Sequence, residues 1–168
     1  WRGDWSSDVC SSDLELAAGL DVGVAGSNLE RGLEAAWYGL TPPLATHDND
    51  GFRREGARLV VVVVSDEDDC SDEGALVAEE PSICTTNTTD LVDVETYGSR
   101  FRDLVEDPSD FGLWAIVETG VTAEHEGCGG TTPGSRYVAV ARATAGEVAP
   151  LCGDMGAVMR EFGEQMRG

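Results

Sequence analysis

The sequence predicts an α/β fold: a Rossmann-like, doubly wound, mainly parallel sheet with helices on both faces. Three observations predict it. Residues 59–64, Leu-Val-Val-Val-Val-Val, form an unbroken apolar run dominated by Val. Val is stiff at χ1 and suits a strand, and the run is far too short to cross a membrane. Residues 111–117, Phe-Gly-Leu-Trp-Ala-Ile-Val, form a second such run. Neither alternates apolar with polar, so both should be inner strands buried on both faces, as in a parallel sheet covered by helices. Third, stretches with apolar residues at helical spacing flank these runs. The resulting order is helix, strand, helix, strand, helix, strand, helix, which right-handed crossovers convert into a parallel sheet between helices.

The elements follow in chain order. Residues 1–14 show neither helical nor strand period, and the segment 4–14 resembles a translated sequencing-adapter scar. They are expected to be a non-native or disordered leader, with the domain over 15–168. Residues 15–24 are short and Gly-broken, the remnant of an element leading onward. Ser27 or Asn28 is placed to cap a helix whose face carries Leu29, Leu33, Ala36, Trp37 and Leu40, stopped by Thr41-Pro42-Pro43. Residues 52–57 are expected to make a short helical turn before the first strand. After that strand, residues 70–89 read as an excursion loop. Residues 94–106 read as a helix with Tyr97, Phe101, Leu104 and Val105 on one face, broken by residues 107–110. Beyond the second strand, a Gly-rich loop over 119–133 holds His125 and Cys128. A helix over 134–145 is closed by Gly146, and residues 147–151 form a third strand. Asp154 caps a last helix whose core face holds Met155, Val158, Met159, Phe162 and Met166.

Composition narrows the functional classes. The 168 residues are enough for one domain with a sizeable core. The net charge is −21, and every one of the 11 basic residues is Arg. Such a charge disfavours nucleic-acid phosphate and anionic lipid as partners. No segment reaches membrane-spanning length, so no direct membrane insertion is expected. The five cysteines include no C-x-x-C pair, which argues against zinc or thioredoxin-type chemistry. With Cys10 set aside in the leader, Cys70, Cys84, Cys128 and Cys152 allow three disulfide pairings. Cys70 with Cys84 would close the acidic loop, and Cys128 with Cys152 would tie the last strand to an earlier loop. Disulfides in turn imply export.

The chemistry gathers where the first strand ends, at Ser65-Asp66-Glu67-Asp68-Asp69. Ligands of open α/β sheets collect at the carboxyl ends of strands, and oxygen-rich groups there suit a hard cation. Asp66 is the expected ligand. Glu67, Asp68, Asp69, Asp72 and Glu73 are read as a solvated acidic rim. The loop His47-Asp48-Asn49-Asp50-Gly51 suggests calcium, but an EF-hand register would put Thr46 first and Ala57 last, so both key acids are missing. His47 and His125 have no evident partners. There is no G-x-S-x-G, P-loop or strand-linked G-x-G-x-x-G, so the chain is expected not to be an enzyme. The alternative, a metal-dependent hydrolase or phosphatase of the α/β class, has Asp66 with Glu118 as its acids. A purely structural envelope domain is a third reading.

Taken together, residues 26–36 (Gly-Ser-Asn-Leu-Glu-Arg-Gly-Leu-Glu-Ala-Ala), residues 62–66 (Val-Val-Val-Ser-Asp) and the later pattern to Cys152 resemble the von Willebrand factor type A domain. The Ser-Asp-Glu-Asp-Asp-Cys-Ser run is most similar to its cysteine-bearing variants in exported proteins and lipoproteins of myxobacterial type. The resemblance implies a binding or adhesion module with a divalent cation, Mg or Ca, at a metal-ion-dependent adhesion site. Its partner would be a protein or another cell-surface macromolecule that completes the cation's shell with an acid. Asp66 matches the metal-site aspartate, and Ser27 matches the helix-start hydroxyl. The family's Asp-x-Ser-x-Ser motif is missing, so the domain is expected to be N-terminally truncated and to bind the cation weakly or not at all. The implied location is the periplasm, an outer-membrane lipoprotein or the extracellular space.

Overall fold

A computed structural model of the chain describes residues 27, 29–76, 83–120 and 132–165. Within them the chain is α/β, with a three-stranded parallel sheet. Strands β1 (Leu59–Ser65), β2 (Phe111–Val117) and β3 (Val148–Pro150) lie side by side in that order. Leu59 sits opposite Phe111, Ser65 opposite Val117, and Ala115 opposite Val148. The helices are α1 (Gly32–Leu40), the single turn α2 (Ile83–Thr86), α3 (Val94–Arg102), α4 (Ser135–Ala143) and α5 (Met155–Gln165).

Strand alternation divides the core into two layers. Val61, Val63, Leu113, Ala115 and Val117 point to one face. They pack there with Leu33 and Leu40 of α1, Tyr97 and Phe101 of α3, and Tyr137, Val140 and Ala141 of α4. Phe101 stacks on Phe111 with centroids 5.1 Å apart. On the other face Trp114 and Ile116 meet α5, where Phe162 meets Trp114 edge-on at 4.4 Å. With neighbours on both edges and both faces, every residue of β2 is buried, as its unbroken apolar run predicts.

β1 departs from that expectation. It is an edge strand among the described residues, and Val62 and Val64 are 43% and 55% exposed. The helix on that face, α5, packs over β2 and β3, and its cluster reaches β1 only at Val60. Among the described residues, a continuous Val run therefore marks a strand without marking a central one.

Other elements are shorter than expected or differ in kind. Residues 52–57 form turns and bends rather than a helical turn, with Gly56 at φ 66°. The helix expected over 94–106 ends at Arg102, and its start is capped by Asp93, whose side chain accepts from Glu95 N–H. α4 ends at Ala143, so Gly146 is not its closing residue. A Cβ at Gly146 would overlap the Leu113 carbonyl oxygen, so glycine is needed there for the chain to pass β2 on its way into β3. In α5 the Asp154 cap is present, accepting from Ala157 N–H at 3.0 Å. Met155 and Met159, however, are exposed rather than core, and Phe162 carries the packing.

Candidate functional site

The carboxyl end of β1 is built from residues with two different duties. Asp66 is exposed, and its backbone carbonyl accepts from Thr132 N–H at 2.9 Å. Glu67 is also exposed, in a tight turn where its N–H donates to Ser65 Oγ at 3.2 Å. Beyond them the expectation of a solvated rim holds at Glu73, which is exposed, and is overturned at Asp69 and Asp72. Asp69 and Asp72 are 1% and 2% exposed. Buried carboxylates persist where hydrogen bonds and cations satisfy them, and here they do.

Asp69 accepts from Leu33 N–H at 3.0 Å and from Ser71 N–H at 3.1 Å. It also accepts from Ser71 Oγ at 2.7 Å and from Arg136 Nε at 3.1 Å. Ser71 Oγ in turn accepts from Glu34 N–H at 2.9 Å. The free N–H groups of the first turn of α1 are thus satisfied by residues at the end of β1, where the helix dipole also favours an anion. Asp68 does the same for α4, accepting from Arg136 N–H at 2.9 Å. Burial holds the Asp68 carboxyl above the usual range, opposed by its bonds from the Arg136 and Asp69 N–H groups. Asp72 accepts from Leu76 N–H. Its Oδ1 lies 2.7 Å from Arg31 Nε, an ion pair whose N–H direction falls outside hydrogen-bond geometry. The pair's charge attraction does not depend on that angle.

Ser27 does not cap α1, contrary to expectation. The helix begins at Gly32 behind Arg31, which makes no side-chain cap bond, and Ser27 Oγ instead accepts from Leu29 N–H at 3.0 Å in a tight turn. Asp69 and Ser71 take over the cap from a distance, so no local pattern could reveal it. Asn28 lies outside the described residues. The loop carrying Ser27 is held to the strand end where the Glu30 carbonyl accepts from Cys70 N–H at 2.6 Å. Glu30 is the site residue that sequence reasoning missed. Its carboxyl is pushed up by burial, and then by the negative charges of Glu67 and Asp66. Its one sequence signal was its place three residues after Ser27 in the same loop.

Cys70 and Cys84 form a disulfide, with Cα atoms 5.3 Å apart. It sits over a small cluster of Leu29, Leu76, Ile83 and Leu91, which pins the excursion loop beneath the strand end. Cys152 is also disulfide-bonded. Its expected partner Cys128 lies outside the described residues, as do Cys10, His125 and Met166.

The donors at this end match a hard cation in kind, being a carboxylate and a hydroxyl. They do not match it in number: among the described residues no three or more His, Cys, Asp or Glu side chains are grouped to hold a metal. The register places Asp66 and Glu118 one step past the paired ends of adjacent strands. Glu118, though, is buried and accepts from Gly120 N–H at 2.7 Å, so its carboxylate already serves its own turn. His47 is exposed, with Nδ1 2.9 Å from the Pro43 carbonyl oxygen.

No family model, curated protein or solved structure matches this chain. Among the described residues no helix is long and apolar enough to cross a membrane.

Proposed function

We propose that the chain carries a von Willebrand factor type A-like module, Rossmann-like and doubly wound, that binds another macromolecule without chemical turnover. One observation carries this reading. Asp66, Glu67 and Glu30 share the carboxyl end of a parallel sheet and remain open to solvent, while the neighbouring Asp68, Asp69 and Asp72 are engaged within the fold. Ligands of open α/β sheets bind at this end.

The partner is a protein or another cell-surface macromolecule. A divalent cation, Mg or Ca, would be held by Asp66 and Ser27, and it would relieve the repulsion by Glu67 and Asp66 that adds to burial in raising Glu30. Two protein oxygens leave most of the shell open, so binding by this chain alone is weak, and magnesium, which sheds water reluctantly, gains least. The Cys70–Cys84 disulfide supports export, to the periplasm, a lipoprotein anchor or the extracellular space.

Calorimetric titration of MgCl₂ and CaCl₂ into the purified chain and into Asp66→Ala tests the reading. Weak heat that disappears in Asp66→Ala is expected. Heat that survives the substitution moves the cation elsewhere, and absence of heat removes the cation from the reading. Turnover of generic phosphoesters or esters that is lost in Asp66→Ala would establish a hydrolase instead.

A further inference from the structure

The loop between α1 and β1 holds the one Asp-Gly pair of the sequence, Asp50-Gly51, and no Asn-Gly pair occurs. Both residues are exposed. They form the middle of a turn in which Phe52 N–H donates to the Asn49 carbonyl at 3.1 Å, with Gly51 at φ 77°. A Cβ placed on Gly51 would meet no atom within 4 Å. Among the described residues the Gly51 N–H makes no hydrogen bond, and the Asp50 carboxylate has neither a hydrogen bond nor an ion pair.

Other exposed aspartates are committed or hindered. The carboxylates of Asp93, Asp107 and Asp154 accept the N–H groups of Glu95, Ser109 and Ala157, which ties them away from the nitrogen of the next residue. Asp107 is also followed by Pro108, whose nitrogen has no proton to lose. Asp66 is followed by Glu67, whose N–H is already donated to Ser65 Oγ at 3.2 Å. Asp50 has none of these restraints. The next residue has no side chain, and glycine accepts either sign of φ, so the peptide between them can rotate to bring its nitrogen to the carboxyl.

We propose that Asp50-Gly51 is a modification site, where the chain converts without an enzyme to isoaspartate through a cyclic imide. The Gly51 nitrogen gives its proton to solvent and bonds to Asp50 Cγ. The Cγ–OH bond of the protonated carboxyl breaks, and water leaves. Water then adds to one of the two ring carbonyls. Addition at Cγ breaks the new bond and restores aspartate. Addition at the backbone carbonyl breaks the original peptide bond, so the chain runs through Cγ and the α-carboxylate becomes the branch. One water is lost and one gained, and nothing is oxidised. The product lengthens the backbone by one methylene at the tip of the loop. Both sides of that tip are held to the end of α1, by Asn49 Nδ2 on the Gly39 carbonyl at 2.7 Å and Arg53 Nη1 on the Leu40 carbonyl at 3.0 Å, so the fold persists around it. The site is independent of the cation and the partner at the strand ends.

The purified full chain, held below its unfolding temperature in ordinary and in heavy-oxygen water for several weeks, tests this. Peptide mapping by electron-transfer fragmentation separates isoaspartate from aspartate, and an isoaspartyl methyltransferase with S-adenosylmethionine counts it independently. Isoaspartate carrying heavy oxygen should accumulate at position 50 faster than at any other aspartate. Asp50→Glu keeps the charge but enlarges the ring that must close. Gly51→Asn keeps the left-handed conformation accessible but shields the nitrogen. Each should slow the conversion by an order of magnitude or more, with far-UV circular dichroism confirming the fold. No isoaspartate at position 50 of the folded chain overturns the proposal, whatever a sample unfolded in guanidinium chloride shows. Equal accumulation in Gly51→Asn overturns it too, as does accumulation at another aspartate at the same rate.

Discussion

The carboxylate of Asp69 accepts the backbone N–H of Leu33 at 3.0 Å, across 36 positions of sequence. Through this bond the end of β1 caps the start of α1. Asp68, the preceding residue, caps α4 through Arg136 N–H. The Arg136 side chain closes the loop on Asp69, and its Nη2 donates to the Val92 carbonyl at 2.6 Å just before α3. Two adjacent aspartates thus set the positions of helices that pack on one face of the sheet. The same arrangement leaves Asp66 and Glu67 uncommitted at the surface.

The Cys70–Cys84 bridge should stabilise the fold chiefly by shortening the unfolded chain's excursion. It closes a loop of 14 residues, for which chain-entropy models give about 3 kcal/mol. Cys70→Ser with Cys84→Ser should lower the urea midpoint correspondingly while leaving the sheet's circular dichroism in place. An unchanged midpoint would mean that the Leu29, Leu76 and Leu91 cluster holds the loop unaided.

Alkaline pH should destabilise the fold through its buried phenols. Burial, opposed by the nearby Ser71 side chain and added to by the charges of Glu34, Asp69 and Glu73, pushes Tyr97 from 10.0 up to about 12. Burial raises Tyr137 as well. A folded-state value above the unfolded one means that the unfolded chain loses these protons first as pH rises. The Tyr97 contribution is therefore complete below about pH 10 and is lost as pH climbs through about 12, and that of Tyr137 is lost in the same direction at higher pH. Urea midpoints and phenolate absorbance, followed from pH 8 upward, should show unfolding and the ionisation of Tyr97 and Tyr137 together. Ionisation of both near pH 10 in a chain that stays folded would contradict this.

Much of the fold was legible in the sequence because it is locally encoded. The apolar runs of β1 and β2 and the Asp154 cap of α5 each follow from residues adjacent in the chain. What could not be read was long-range. Nothing within 59–64 distinguishes a central strand from an edge strand, since that depends on which strands pair beside it. Asp69 and Asp72 have the same local appearance as Glu67, and only their distant partners Leu33, Arg136 and Arg31 make them interior. Of the site, Asp66 was legible as an exposed acid at a strand end. Glu30 was not, because its role depends on Cys70 drawing its loop against that end.

The acidic run divides into an outward-facing residue, Asp66, and a fold-bearing one, Asp69. Thermal unfolding of Asp66→Ala and Asp69→Ala tests it most directly. Asp66→Ala removes an exposed side chain and should change stability by less than about 0.5 kcal/mol. Asp69→Ala strips the half-buried Arg136 guanidinium and several N–H and O–H groups of a buried acceptor, a loss of about 3–5 kcal/mol. At roughly 2–4 °C per kcal/mol for a chain of this size, Tm should fall by about 6 °C or more. Tm should stay unchanged in Asp66→Ala and drop sharply in Asp69→Ala. Equal effects, or a larger drop for Asp66→Ala, would contradict it.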